Sequence, residues 1–191
     1  INIFNTIKEN DTIIHLMDSL PKDLTKTFKL SVNKSKRLSS SSNHTATHLL
    51  HQALRSVLGD HVQQKGSMVS DKYLRFDFSH FSKLSEIDLE NVENFVNKKI
   101  IDHLELEENR NSSFQDCIDD GVIALFGEKY GDVVRSIKFG ESHELCGGTH
   151  VKNTSEIRSF IIKSESAIST GIRRIEAISG DKAVDYLMKQ A

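Results

Sequence analysis

The sequence lacks most of what would place it in a specialised class. Its 191 residues include no Trp, one Pro and two Cys, and aromatics make up only 7%. Two Cys exclude a small disulfide scaffold, which needs dense and even cysteine. No uninterrupted apolar run is long enough to cross a membrane as a helix. No signal peptide opens the chain, because Lys8, Glu9 and Asp11 break the first apolar stretch. An excess of one charge is missing too: 25 Lys and Arg against 27 Asp and Glu leave a formal −2, which excludes an indiscriminate nucleic-acid binder. The chain starts at Ile1 rather than Met and is expected to be a piece of a larger, soluble, intracellular protein.

What is present alternates between the strand and helix periods. Thr12 to Met17 and Thr27 to Val32 are predicted strands, the second because Phe28, Leu30 and Val32 alternate with Lys29 and Ser31. Ser39 to Ser42 is expected as a linker or helix lead-in. A helix is predicted from Asn43, its expected N-cap, to Leu58, with Leu50, Leu54, Val57 and Leu58 as its apolar stripe and Gly59 as its stop. Strands are predicted at 63–69 and 72–78, then a helix at 85–101 capped by Ser85. An edge strand is expected at 104–107 and a helix at 113–126, interrupted at Gly121. Further strands are predicted at 133–139, 157–164 and 171–179, the last two paired, and a helix starts at Asp181. Without regular strand–helix–strand alternation, the pattern predicts an α+β fold of mixed or antiparallel sheet and packed helices.

Charge is distributed unevenly. Residues 21–42 carry Lys22, Lys26, Lys29, Lys34, Lys36 and Arg37 against one acid, Asp23; residues 86–120 carry eleven acids and three bases. The basic end is either a solvated face or a surface near a polyanion.

The chemistry concentrates in histidine. His44 and His48 are four apart, which puts both imidazoles on one helix face. About a hundred residues later, Cys146-Gly147-Gly148-Thr149-His150 repeats the spacing, with two glycines to fold the loop tightly. Three imidazoles and one thiolate form a zinc set. Alone, either pair is weak and is often mere packing; together they predict Zn²⁺ held by His44, His48, Cys146 and His150. Cys117 lies in an apolar context and is expected to be an inert buried thiol. The zincin motif is excluded because no Glu follows His44, and neither the deaminase pattern, the serine-hydrolase elbow nor a P-loop occurs.

Six ordered blocks carry a resemblance: 43–51, beginning Asn43-His44; Gln64-Lys65-Gly66-Ser67; 74–80, beginning Leu74-Arg75-Phe76; 124–132, with Phe126-Gly127-Glu128-Lys129 at its centre; Leu145-Cys146-Gly147-Gly148-Thr149-His150; and Arg173-Arg174-Ile175-Glu176-Ala177. From about Asn43 to Gly180 the chain resembles the editing domain of the alanyl-tRNA synthetase family. Threonyl-tRNA synthetases have a related domain, whose cysteine loop typically carries Arg-Gly-Pro where this chain has Gly-Gly-Thr.

The resemblance implies a division into a β-rich remnant of a preceding domain at 1–38, an editing domain at 39–180 around the zinc site, and the start of a helix at 181–191. It implies hydrolysis of the ester that links serine or glycine to tRNA(Ala), in a cytoplasmic enzyme whose other domains bring the tRNA acceptor end. A pocket for alanine discriminates against such near neighbours by only about 1–3 kcal/mol, so a second sieve is needed. Thr47, between the two histidines, is the expected contact for the serine hydroxyl. Gln64 and Arg173 match substrate-pocket residues of the family, and Arg173 is expected to hold Gln64 or a phosphate. Thr47, Gln64 and Cys146 are the expected catalytic set, with Thr47, Gln64 and Arg173 binding substrate. The alternatives are a free-standing trans-editing protein, a threonyl-type domain, and a non-catalytic, zinc-stabilised tRNA-binding module.

Overall fold

The computed structural model describes residues 1–10, 12–125 and 130–190. Phe126 to Lys129, in the centre of one block of the resemblance and at the end of a predicted helix, lie outside the described residues. The chain divides into two compact units, Ile1–Val32 and Asn33–Ala191. No described helix is long and apolar enough to cross a membrane.

In the first unit, β1 (Ile3–Glu9) pairs antiparallel with β2 (Thr12–Met17). The predicted strand at 27–32 does not form: these residues belong to no regular element, and Phe28, Leu30 and Val32 are all exposed. Alternation alone stabilises no strand when no neighbour takes its backbone hydrogen bonds.

The second unit is α+β. Helix α1 (Lys34–Leu58) begins nine residues before the expected Asn43 cap, measured from Asn43 to Lys34. Its N-cap is Asn33, whose side chain accepts from the Lys36 N–H at 3.0 Å. The serine tract is therefore helical rather than a linker. Ser41 and Ser42 are buried, where their small side chains permit close packing. Asn43 becomes a mid-helix bridge: its Nδ2 donates to the Ser70 carbonyl (2.8 Å) and its Oδ1 accepts from Ser179 Oγ (2.7 Å).

Strands β3 (Gln64–Val69) and β4 (Leu74–Ser79) form a hairpin, followed by α2 (Glu86–Ile101) with a Ser85–Asp88 capping box. Next come β5 (Glu107–Ser113), the short α3 (Phe114–Asp119), β6 (Val133–Phe139) and β7 (Ser142–Leu145). After a 3-10 turn at Thr154–Ile157 come β8 (Phe160–Ser169), β9 (Ile172–Ser179) and α4 (Asp181–Met188). One antiparallel sheet runs β3-β4-β9-β8, the other β5-β6-β7. The expected edge strand at 104–107 is reduced to an isolated bridge between Glu105 and Asn153.

Helix α1 packs on α2, on β3, β4 and β9 of the first sheet, and on β7 of the second. Leu49, Leu50, Ala53 and Leu54 meet Leu74, Phe76 and Phe78 of β4, Val92 and Val96 of α2, and Phe139 of β6 in one core. Each fully buried large side chain contributes about 1.5–3 kcal/mol by leaving water. The same helix thus carries the core and, on the side towards β7, its histidines. Cys117 is buried in a separate small cluster with Val122, Val134 and Leu145.

Candidate metal centre

His44 and His48 lie one turn apart on α1, with ring centroids 5.2 Å apart. The turn after β7 brings Cys146 and His150 to them, and the His150 ring lies 4.3 Å from that of His44 and 4.8 Å from that of His48. Four donor atoms, one from each residue, all fall within 4.8 Å of one another. Cys146 Sγ is 3.5 Å from His44 Nε2 and 3.4 Å from His150 Nε2. Bonds of about 2.1 Å to nitrogen and about 2.3 Å to sulfur around a tetrahedral ion place N and S about 3.6 Å apart. The donor set and its spacing fit a four-coordinate metal ion.

The chain aims these donors with a second layer of contacts. Glu144 of β7 is buried; its Oε1 accepts from His51 Nδ1 at 2.8 Å, and its Oε2 lies 3.2 Å from His48 Nδ1. A proton on His48 Nδ1 leaves the Nε2 lone pair for a metal. Thr45 Oγ1 sits 3.1 Å from His150 Nδ1 and accepts from the Val151 N–H at 3.2 Å, which leaves His150 Nε2 facing the thiol. The Gly148 N–H donates to Cys146 Sγ at 3.4 Å, favouring a thiolate. Arg135 of β6 clamps the turn: its guanidinium donates to the Cys146 carbonyl at 3.0 Å and to that of Gly148. Glu108 accepts from Arg135 Nε at 2.7 Å.

Only one of the two loop glycines is sterically required. A Cβ on Gly148 would overlap the His44 ring, whereas one on Gly147 would meet nothing within 4 Å. Neither glycine has positive φ, so close approach, not turn conformation, selects Gly148.

Burial, then the neighbouring His48, pushes His44 down to about 4. Burial also pushes His48 and His150 down. All three imidazoles are therefore neutral at pH 7, the form that ligates metal. Burial works against the Glu144 carboxylate, but His48 and His51 outweigh it and hold the group below the usual carboxylate range.

The other expected site residues are placed as follows. Thr47 is 4% exposed, and its hydroxyl donates to the Asn43 carbonyl at 2.8 Å. That back-bond is the ordinary habit of a helical threonine. Gln64 of β3 lines a cleft of about 370 Å³ with His51, Arg55 and Val62, and its Nε2 is 3.5 Å from Ser67 Oγ. Gln64, Phe78 and Arg173 are opposite one another across β3, β4 and β9, which puts all three on the helix-covered face. The Arg173 guanidinium is paired with Glu165 of β8, while Arg174 reaches Asp77 at 2.6 and 2.8 Å. No described hydrogen bond joins Arg173 to Gln64.

Glu144, Thr45 and Arg135 had no signal in the sequence. Glu144 comes closest, being two residues from Cys146, but its His51 partner lies 93 positions away.

Residues 134–176, from β6 through the cysteine turn to β9, match the family described as the threonyl and alanyl tRNA synthetase second additional domain. An alanine–tRNA ligase of Christiangramia forsetii is 61% identical over 190 residues, which is 100% of this chain and 22% of that protein. One of Flavobacterium psychrophilum is 55% identical over 100% of this chain and 21% of its own length. One of a Thermotoga strain is 53% identical over 84% of this chain and 19% of its own length. The chain spans about a fifth of the length of these curated relatives.

Proposed function

The chain belongs to the alanine–tRNA ligase family, as a segment holding the second additional domain, and on that premise we propose that it hydrolyses mischarged tRNA(Ala), releasing serine or glycine. The observation that carries this reading is the cluster of His44, His48, Cys146 and His150. Three imidazoles and a thiolate select zinc. When bound, zinc would fix the pocket walls and offer a Lewis acid to an oxygen of the terminal ribose or ester. Four protein ligands make a closed site, which favours holding over direct reaction.

The chain's own residues then do the sorting and positioning. Thr47 donates its proton to the Asn43 carbonyl, so its oxygen lone pairs remain as acceptors. A serine hydroxyl satisfies that acceptor, whereas the methyl of alanine cannot. The Gln64 amide, with a single 3.5 Å contact to Ser67, orients the attacking water, because an amide both donates and accepts. Water oxygen bonds to the ester carbonyl carbon, the bond from that carbon to the ribose oxygen breaks, and the water proton ends on the ribose hydroxyl. Free amino acid and intact tRNA leave. Arg173, paired with Glu165, braces the pocket face that it shares with Gln64. Other domains of a parent cytoplasmic synthetase would deliver the tRNA.

The test is deacylation by the zinc-loaded chain of Ser-tRNA(Ala), Gly-tRNA(Ala), Ala-tRNA(Ala) and Ser-tRNA(Thr). Release from the first two with Ala-tRNA(Ala) spared is expected. Zinc and tRNA binding without serine release would leave a binding module instead, and preference for Ser-tRNA(Thr) would make it threonyl-type. Cys146→Ala checks the part played by zinc: retained zinc with lost hydrolysis would shift the metal from holding to reacting.

A further inference from the structure

Beside His150 and the turn at 147–149, a cleft of about 580 Å³ opens. Its charged walls come from four separate parts of the second unit: Arg37 on α1, Glu108 and Arg110 on β5, Arg135 on β6, and Lys152 beyond the metal turn. Four cations therefore face one carboxylate in a chain whose formal net charge is −2. Glu108 is already engaged by Arg135 at 2.7 Å and Arg110 at 2.5 Å. Arg135 is spent on the turn carbonyls. The Arg37 guanidinium and the Lys152 ammonium have no hydrogen bond or ion pair among the described residues; Arg37 and Lys152 bond there through their backbone groups alone.

Unpaired cations lining a cleft beside a hydrolytic site select an anion on the substrate. In an aminoacyl-tRNA the amino acid is no such anion, since its carboxyl is esterified and its amine is cationic. The only negative groups are phosphodiesters. Resting on the hydrolytic reading above, we infer that this cleft holds the sugar-phosphate strand immediately behind the terminal ester, with Arg37 and Lys152 as its phosphate contacts. The same field repels the amino group of the attached amino acid, so the ester end points away from the cations. Leu106 gives the cleft an apolar wall for a ribose or base. Of the basic stretch at 21–42, the structure thus places Arg37 beside the metal cluster.

The test compares two serine esters: Ser-tRNA(Ala), and seryl-adenosine, which has no phosphate. Arg37→Glu/Lys152→Glu should lower kcat/KM for the tRNA about tenfold more than for seryl-adenosine, and flatten the log–log salt dependence of tRNA binding by about 0.7 per lost phosphate contact. The neutral pair Arg37→Gln/Lys152→Gln should move both readouts the same way by less, and serves if the charge reversal harms folding. Equal losses on both substrates, or an unchanged salt slope, would overturn the inference. If the unaltered chain hydrolyses neither ester, the hydrolytic reading falls, and the binding of uncharged tRNA alone still decides the cleft.

Discussion

The metal cluster and the proposed substrate wall of Thr47, Gln64 and Arg173 are built on different principles. In the cluster three of the four residues are flanked by a second polar group: His48 by Glu144, His150 by Thr45, Cys146 by the Gly148 N–H and the Arg135 clamp. On the wall, Thr47 has one bond to its own helix, and Gln64 has one long contact to Ser67. A metal site gains affinity from donors fixed before the ion arrives. A sieve gains from groups that satisfy themselves on the right substrate and are left wanting on the wrong one. Changes in the cluster should therefore show in metal content and activity together, whereas changes in the wall should show in activity alone.

The sharpest test removes a ligand. His150→Ala should abolish stoichiometric zinc binding and serine release together, with a drop in melting temperature against the zinc-loaded chain, because metal binding contributes to folding. Atomic absorption, deacylation and thermal melts read the three quantities. Full zinc retention would mean that the cluster does not hold the ion.

Next in size is Glu144→Gln. The carboxylate faces two Nδ1 atoms, His51 at 2.8 Å and His48 at 3.2 Å, and an amide offers an oxygen to only one while pointing its own N–H at the other. Zinc affinity should fall about 10- to 100-fold, read by competition with a chromophoric chelator. Unchanged affinity would show that Glu144 does not aim His48, and the contrast between the two regions would lose its basis.

The cluster of His44, His48, Cys146 and His150 was legible in the sequence because each pair is local: four-residue spacing converts directly into one helix face or one turn. What aims them was not, since Glu144 meets His51 across 93 positions and sits in a four-residue strand too short to leave a pattern. Asn43 looked like a cap because Asn favours caps; its bonds to Ser70 and Ser179 come from tertiary packing that no local rule contains. The clearest contrast is between two alternating stretches. Leu74, Phe76 and Phe78 are buried because β4 lies between β3 and β9, while Phe28, Leu30 and Val32, with the same period, stay exposed and unpaired as strand. Periodicity says which residues could share a face, and only the neighbours decide whether that face is covered.

On the wall, Gln64→Ala should lower kcat/KM for Ser-tRNA(Ala) by about tenfold, the loss of roughly one hydrogen bond to an oriented water. Zinc content should be unchanged, and stability should move by no more than about 0.5 kcal/mol, as for a surface change away from the core. Loss of zinc in this variant would join the wall to the cluster as one mechanical unit and end the distinction drawn between them.

The smallest effect, and the most specific, belongs to Thr47→Val. The swap keeps the branched shape and removes only the hydroxyl. The Asn43 carbonyl remains satisfied by the helical N–H of residue 47, so stability should change by no more than about 1 kcal/mol despite the burial. What should change is selectivity: the ratio of serine to alanine release should fall about three- to tenfold, the value of one neutral hydrogen bond. Parallel single-turnover assays on Ser-tRNA(Ala) and Ala-tRNA(Ala), with zinc measured on the same samples, read that ratio. A ratio that stays fixed would assign the hydroxyl to its helical back-bond alone, and the serine contact would have to be sought elsewhere on the wall. A lower ratio with zinc intact would locate the sieve on Thr47, so that the helix carrying His44 and His48 also measures the substrate.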